Sequence, residues 1–129
     1  MQLLNDSSNP PAGHYSSAVI HKGFVFLSGV LPPPGLASDF EQETLLALEA
    51  CKRILLQTGC NINDVVQCTA YIVGVENWPR FNAVYASFFG AHKPARTVVP
   101  VQELHHGCLV EVQMIAAIDQ QNSFKNTDQ

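Results

Sequence analysis

Short apolar runs bounded by turn residues predict three β-strands in the first part of the chain. Residues 16–21 and 24–28 are separated only by the turn-like His21-Lys22-Gly23, so we expect them to form a hairpin. The run 65–73 has strand composition. The proline-rich stretch 31–37 should be an exposed loop, because three consecutive prolines donate no backbone hydrogen bonds.

Two other segments carry apolar residues every three or four positions, which predicts amphipathic helices. The first begins with Ser38 and Glu41 in the spacing of a capping box and ends before Gly59. The second covers about residues 77–89 and is followed by Gly90. The buried positions are predicted to be Leu45, Leu48, Cys51 and Leu55 in the first helix and Phe81, Val84, Tyr85 and Phe88 in the second.

The segment 93–117 places one arginine and one glutamate in otherwise apolar strand sequence, and we predict a hairpin with its turn at 104–107. Removing a lone charge from water is costly, so Arg96 and Glu111 each need a partner or a wet cavity. They could form a partly buried salt bridge, or Arg96 could bind a small carboxylate. In the hairpin register the two residues lie on the order of 13 Å apart, which favours a shared site between subunits.

The predicted order is β-β-α-β-α-β-β, an α+β fold in which two helices cover one face of a mixed sheet. The whole chain, residues 1–129, is expected to be one domain with a core at about 13–118 and a polar tail at 119–129. The second face of the sheet should be apolar and uncovered. We therefore expect it to pack against other copies of the chain.

Composition limits the classes of function. The 129 residues have a net charge of −4, and the seven Lys and Arg residues are scattered, which argues against nucleic acid as a partner. The amino terminus has no signal-peptide pattern and no apolar run is long enough to span a membrane, so we expect a soluble, cytoplasmic protein. The four cysteines lack metal or disulfide spacing. The adjacent His105 and His106 have no third ligand at suitable spacing, so no metal is expected.

Five segments resemble the motifs of one protein family, in the same order and over about residues 13–117. The segment GHYSSAV resembles GPYSQAV, LSGVLP resembles SGQIP, NDVVQCTAYI resembles DVVKTTVFL, FNAVYASFFG resembles MNEVYAEFF, and KPARTVV with LVEVQMIA resembles PARSxV with VEIEAIA. The family is that of the reactive-intermediate deaminases, also called YjgF/YER057c/UK114. The resemblance implies a chorismate-mutase-like fold and a homotrimer with its sites in the clefts between subunits.

The resemblance also implies roles for particular residues. Arg96 would hold the substrate carboxylate and Glu111 would position a water. Tyr15 would close the cleft, and Ser28 and Gly29 would line it. The implied reaction is the hydrolysis of 2-enamine and 2-imine acids, such as 2-iminobutanoate and 2-iminopropanoate, to 2-keto acids and ammonia without a cofactor. This chemistry needs little more than a fixed cation and a well-placed water.

Two other functions stay open. The cleft could bind or sense small 2-keto acids without turnover, for which Arg96 would suffice. The family's older description as endoribonucleases points to RNA cleavage, which the acidic balance disfavours. Asn82 matches the asparagine of an NxxY family motif and could equally serve the helix. The chain departs from the family pattern at His14, Val30, Val98, Gln113 and residues 105–107, which bears on the shape of the pocket.

Overall fold

The computed structural model describes residues 1–118 and contains six strands and two α-helices. The predicted tail at 119–129 lies outside the described residues. In chain order the elements are β1 (Gln2–Leu4), β2 (Ala18–His21), β3 (Phe24–Leu27), α1 (Phe40–Gln57), β4 (Val65–Val73), α2 (Trp78–Phe89), β5 (Ala95–Val101) and β6 (Val110–Ala117). This confirms the α+β class and adds the strand β1, which the sequence analysis did not predict.

The six strands form one mixed sheet in the order β1-β2-β3-β6-β4-β5. All neighbours are antiparallel except β4 and β5, which are parallel. A parallel pair needs a crossover connection, which α2 supplies between these two strands. The hairpin β2–β3 is confirmed, and Lys22 and Gly23 both have positive φ (50° and 81°), as a two-residue hairpin turn of type I′ requires.

The predicted hairpin between the last two strands is wrong. The strand β6 pairs with β3 on one side and β4 on the other, so β5 lies beyond β4 and does not touch β6 along its length. The hairpin register assumed for Arg96 and Glu111 is therefore also wrong, because β4 lies between their two strands. The segment between the strands contains the short 3-10 helix His105–Gly107 instead of a tight hairpin turn.

The first helix begins one residue later than its predicted capping box. The N-cap is Asp39, whose carboxylate accepts a hydrogen bond from the Gln42 N–H at 2.8 Å, so the assignment of Ser38 as the cap is wrong. Both residue types cap helices well, and the extended backbone at Asp39 (φ −157°, ψ −178°) decides between them. Of the predicted apolar stripe, Leu48, Cys51 and Leu55 are fully buried and Leu45 is partly buried.

The second helix has the predicted bounds and ends at Gly90. Phe81 and Tyr85 are buried as predicted, together with Phe89. Val84 and Phe88 are partly buried against the core.

The amino-terminal segment is tied to α1 by a buried carboxylate. Asp6 is 3% exposed and accepts hydrogen bonds from Arg53 Nη2 at 2.7 Å and Gln57 Nε2 at 2.9 Å. Its own backbone N–H donates to Ser17 Oγ at 2.9 Å, next to the start of β2. These contacts fix the segment that leads from β1 to the candidate site.

The two faces of the sheet have different environments. Alternate residues of the strands are fully buried beneath the helices, including Val25, Cys68, Ala70, Val112 and Met114. No element within residues 1–118 covers the other face, which we call the open face. Its apolar side chains include Val19, Phe24, Phe26, Tyr71, Val99 and Ile115, and polar side chains lie between them: His21, Gln67, Thr69, Thr97, Glu111 and Gln113. Phe24 and Phe26 are 45% and 42% exposed.

Candidate functional site

Arg96 is the second residue of the edge strand β5, and it faces α2. Its register partner in β4 is the buried Cys68, so both side chains lie on the helix-covered face. The Arg96 Nη1 donates a hydrogen bond to Asn82 Oδ1 at 2.9 Å. The guanidinium carbon lies 4.8 Å from the ring centroid of Tyr85 and 5.5 Å from that of Trp78. We call Trp78, Asn82, Tyr85 and Arg96 the arginine cluster.

Helical geometry explains how α2 provides three partners for one guanidinium. Trp78, Asn82 and Tyr85 are spaced i, i+4 and i+7, which places them on one side of the helix. Cation–π contact with two rings holds the guanidinium plane without using its remaining N–H groups. The sequence analysis matched Asn82 to a family motif and missed the two rings, although their helical spacing was available as a signal.

The groups beneath Arg96 carry no charge at neutral pH. Burial raises the pKa of the Cys68 thiol to about 12, and burial likewise raises the pKa of the Tyr85 phenol well above its ordinary value. The two salt bridges formed within residues 1–118 are Arg53–Asp6 and Arg80–Glu41. Arg96 is in neither of them, so the predicted alternative of an Arg96–Glu111 salt bridge is wrong for a single chain.

Glu111 is the second residue of β6 and lies on the open face. Its register partner is Tyr71, three residues along β4 from Cys68, so its side chain points away from the helices. The carboxylate packs against Gly29: a Cβ built on that glycine would lie 2.5 Å from Oε2 of Glu111. No residue other than glycine fits at position 29 unless the carboxylate moves.

Ser28 precedes Gly29 in the chain and joins it to the segment that follows Tyr15. The Ser28 hydroxyl donates to the backbone oxygen of Ser16 at 2.6 Å, and its N–H donates to the Ser17 oxygen at 3.0 Å. The hydroxyl is therefore occupied in holding the segment after Tyr15 against the end of β3. The Tyr15 side chain is 52% exposed. We call Tyr15, Ser28, Gly29 and Glu111 the glutamate cluster.

The two clusters do not meet within one chain. Arg96 and Glu111 flank β4 on its two sides, and their register partners Cys68 and Tyr71 are three residues apart. Strand spacing and rise then separate the two Cα atoms by about 14 Å, with the side chains on opposite faces. Of the five predicted site residues, four lie in the glutamate cluster and Arg96 lies apart from them.

Other candidate groups add little chemistry. Burial raises the pKa of all four thiols, Cys51, Cys60, Cys68 and Cys108, so none is a ready nucleophile. Among residues 1–118, no group of three or more His, Cys, Asp and Glu side chains could hold a metal ion. No helix in the same part of the chain is both long and apolar enough to cross a bilayer.

Comparison with known proteins identifies the class. The family model described as Endoribonuclease L-PSP matches residues 6–118, almost all of the described chain. The chain therefore belongs to this family, which includes the YjgF, RutC and UK114 proteins, and the resemblance seen in its motifs is confirmed.

Individual relatives match over nearly their whole length. The RutC family protein of Pyrococcus horikoshii is 33% identical over 119 residues, which are 88% of this chain and 94% of the relative. The crystal structure of Escherichia coli TdcF with bound serine has a TM-score of 0.83 at 27% identity, covering 91% of this chain and 98% of TdcF. Rv2704 of Mycobacterium tuberculosis, a member of the YjgF/YER057c/UK114 family, has a TM-score of 0.81 at 27% identity with the same coverage.

Proposed function

We propose that this protein is a cofactor-independent deaminase that hydrolyses small 2-imino and 2-enamine acids to 2-keto acids and ammonia. The observation that supports this most is the state of Arg96. It is held by an amide and two aromatic rings, and no carboxylate within residues 1–118 neutralises it. A guanidinium with free N–H groups suits bidentate capture of a small carboxylate.

The complete site is proposed to form between subunits of a homotrimer. Arg96 and Glu111 lie on opposite faces of the sheet, so one small molecule could contact both only if they come from different copies. The apolar open face supplies a surface for that association, because a large uncovered apolar patch marks an interaction site. Glu111 lies on this face near the start of the interior strand β6, and Arg96 lies on the opposite face in the edge strand β5.

In the proposed mechanism, Arg96 holds the substrate carboxylate and fixes the imine carbon near Glu111. Glu111 accepts a proton from a water as the water oxygen attacks the imine carbon, and it passes this proton to the imine nitrogen, which gives a carbinolamine. The hydroxyl proton of the carbinolamine then moves through Glu111 to the amino nitrogen, the C–N bond breaks, and the 2-keto acid and ammonia are released. An enamine first takes a proton on its β-carbon, which converts it to the imine. Gly29 and Ser28 line the cleft, and Tyr15, exposed in the single chain, is proposed to close it.

Coupled imine trapping tests this proposal. An amino-acid oxidase generates 2-iminopropanoate or 2-iminobutanoate in the presence of semicarbazide and catalase, and semicarbazone formation is followed with and without the protein. We expect the wild type to suppress semicarbazone formation. Arg96→Ala should lower kcat/KM by about 100-fold, the worth of a charge-assisted bidentate contact. Glu111→Gln should lower kcat by about 100-fold or more.

Matched controls distinguish these roles from a general loss of folded protein. Arg80→Ala removes an arginine of α2 that pairs with Glu41 on the surface, and Glu103→Gln removes an exposed carboxylate. Both should keep wild-type turnover. A wild-type protein that leaves semicarbazone formation unchanged would contradict the deaminase proposal.

The second candidate function is binding of small amino or keto acids without turnover. TdcF, a structural relative, carries bound serine in its crystal structure, so a relative of this fold holds a ligand with a carboxylate and an amino group. Calorimetric titration with pyruvate distinguishes the two candidates. Binding that requires Arg96, combined with no hydrolysis by the wild type, would favour the sensor.

RNA cleavage, which the family description names, has less support in the structure. The Lys and Arg residues within 1–118 are scattered along the sequence, and Arg53 and Arg80 are already paired with carboxylates, so no run of cations is available to bind phosphates. Cleavage of RNA by the purified wild type, with a nuclease-free control preparation, would reverse this ranking. We further propose a cytoplasmic location, which a fluorescent fusion of the full chain would test.

A further inference from the structure

A cavity of about 140 Å³ lies where the proline-rich loop meets the turn before β6. Its walls include Pro32, Pro33, Pro34, Glu43, His106 and Cys108. The volume is close to the roughly 150 Å³ of an engineered cavity that holds benzene, so it can receive a group of about six heavy atoms. The 105–107 turn is a place where this chain departs from the family motifs.

A short stretch of chain joins the glutamate cluster to the cavity wall. Gly29 packs against Glu111, Val30 pairs with Val112, and Pro32 already lines the cavity. Glu43 Oε1 accepts a hydrogen bond from the Leu109 N–H at 2.7 Å. Leu109 is two residues from Glu111, a rise of about 7 Å along the strand. A side chain of three methylenes and a guanidinium covers a similar span.

Glu43 is the one carboxylate among the residues that line the cavity, and its oxygens only accept hydrogen bonds. The prolines add no N–H, whereas the His106 ring and the backbone N–H of Gly107 can donate. The second carboxylate oxygen of Glu43, Oε2, has no hydrogen-bond partner within residues 1–118. Burial raises the pKa of the Cys108 thiol, so this wall residue adds no charge. The group that complements the free oxygen of Glu43 is a cation with several N–H donors.

We propose that the cavity receives the side chain of the substrate and selects 2-imino acids with a guanidinium or ammonium tail. This rests on the proposed deaminase function and names its substrate class. Glu43 is the specificity residue, because a planar guanidinium can bind its free oxygen while the other oxygen stays on Leu109. The supplying reaction is oxidation of a basic amino acid such as arginine to its 2-imino acid.

Equilibrium binding tests the assignment without depending on turnover. Two products of the proposed reaction, 2-keto-5-guanidinopentanoate and pyruvate, share the keto-acid head and differ in the tail. In calorimetric titrations of the full-chain protein, we expect the guanidino acid to bind about tenfold or more tightly than pyruvate. Glu43→Gln keeps an oxygen for the Leu109 N–H but loses the charge, so the affinity ratio should fall by about tenfold. The control Glu103→Gln should leave the ratio unchanged.

A second variant controls for the possibility that Glu43→Gln acts by changing the folding of the protein. Ala37 also lines the cavity, and Ala37→Leu should fill it and lower the ratio in the same direction. Equal affinity of the wild type for both acids, or a ratio unchanged in both variants, would overturn the proposal, as would no binding of either acid.

Hydrolysis of 2-iminopropanoate, measured separately, shows which proposal fails. Turnover without a preference for the guanidino acid rejects only the cavity assignment. A preference that depends on Glu43, without turnover, supports the cavity and rejects the deaminase.

Discussion

The placement of Arg96 and Glu111 on opposite faces of the sheet predicts that two inactive variants will restore activity to each other. Arg96→Ala keeps the glutamate cluster, and Glu111→Gln keeps the arginine cluster. Within one chain the two Cα atoms are about 14 Å apart with β4 between them, so neither variant can complete a site by itself. A mixed assembly can, because one subunit supplies the guanidinium and its neighbour supplies the carboxylate.

The size of the rescue follows from counting clefts. In the proposed trimer each cleft takes Arg96 from one subunit and Glu111 from the next. With equal amounts of the two variants assembling at random, about a quarter of the clefts receive both wild-type groups. The variants are unfolded together, refolded by dilution and assayed by semicarbazone trapping. We expect about a quarter of wild-type activity, against about 1% for either variant refolded alone.

The control disrupts the surface that assembly would use. Phe26 is 42% exposed on the open face, and Phe26→Glu places a charge there. When Phe26→Glu is added to both variants, light scattering should detect monomers and the rescue of activity should be abolished. Leu56→Glu, at an exposed apolar position of α1, should leave assembly and rescue intact. Mixed trimers that form without any gain in activity would refute a shared site, as would a wild-type monomer that hydrolyses imines.

Two further predictions concern single positions. Gly29→Ala would put a Cβ 2.5 Å from Oε2 of Glu111, so the flexible carboxylate should shift by about 1 Å. The melting temperature should stay nearly unchanged, while kcat should fall by about 100-fold. Wild-type kcat in this variant would show that the carboxylate position is unimportant. Burial by itself would raise the pKa of Asp6, but hydrogen bonds from Arg53, Gln57 and a backbone N–H together lower it below 3.8. The stabilisation that comes from this lowered pKa is fully present at pH values above the ordinary pKa of an aspartate. It is lost as the pH falls through the pKa of Asp6 in the folded protein. Asp6→Asn should therefore reduce the free energy of unfolding by about 2 kcal/mol at pH 7. Denaturant titrations should show that this deficit shrinks below about pH 4. An equal deficit at pH 3 and pH 7 would contradict the role of the charge.

The helices and most strands could be predicted because their signals are local. The strand Val65–Val73 and the helix Trp78–Phe89 have the predicted bounds, since the strand has β-type composition, the helix has a clear periodicity, and a glycine follows each of them. The cap of α1 was displaced by one residue because Ser38 and Asp39 are both good caps, and only the backbone conformation decides between them. The strand Gln2–Leu4 has three residues, too few to show alternation.

Strand pairing could not be predicted in the same way, because it depends on contacts between distant parts of the chain. Two apolar runs separated by a short turn indicate a hairpin, yet β6 satisfies both of its edges with β3 and β4. This single error changed the neighbours of Arg96 from β6 residues to the side chains of α2. The resemblance named residues on both sides of the site but gave no distances, so the interaction of Arg96 with Trp78 and Tyr85 required coordinates.

Neither cluster could carry out the proposed chemistry without the other. A carboxylate bound at Arg96 would have the neutral Asn82 and two rings beside it, with no base to activate water. An anionic substrate placed at Glu111 alone would meet a like charge and no cation. The sheet keeps these groups on opposite faces, so each chain is stable with its guanidinium and carboxylate apart. Under the proposed mechanism, catalysis therefore depends on association, because only a neighbouring copy can bring the missing charge into the cleft.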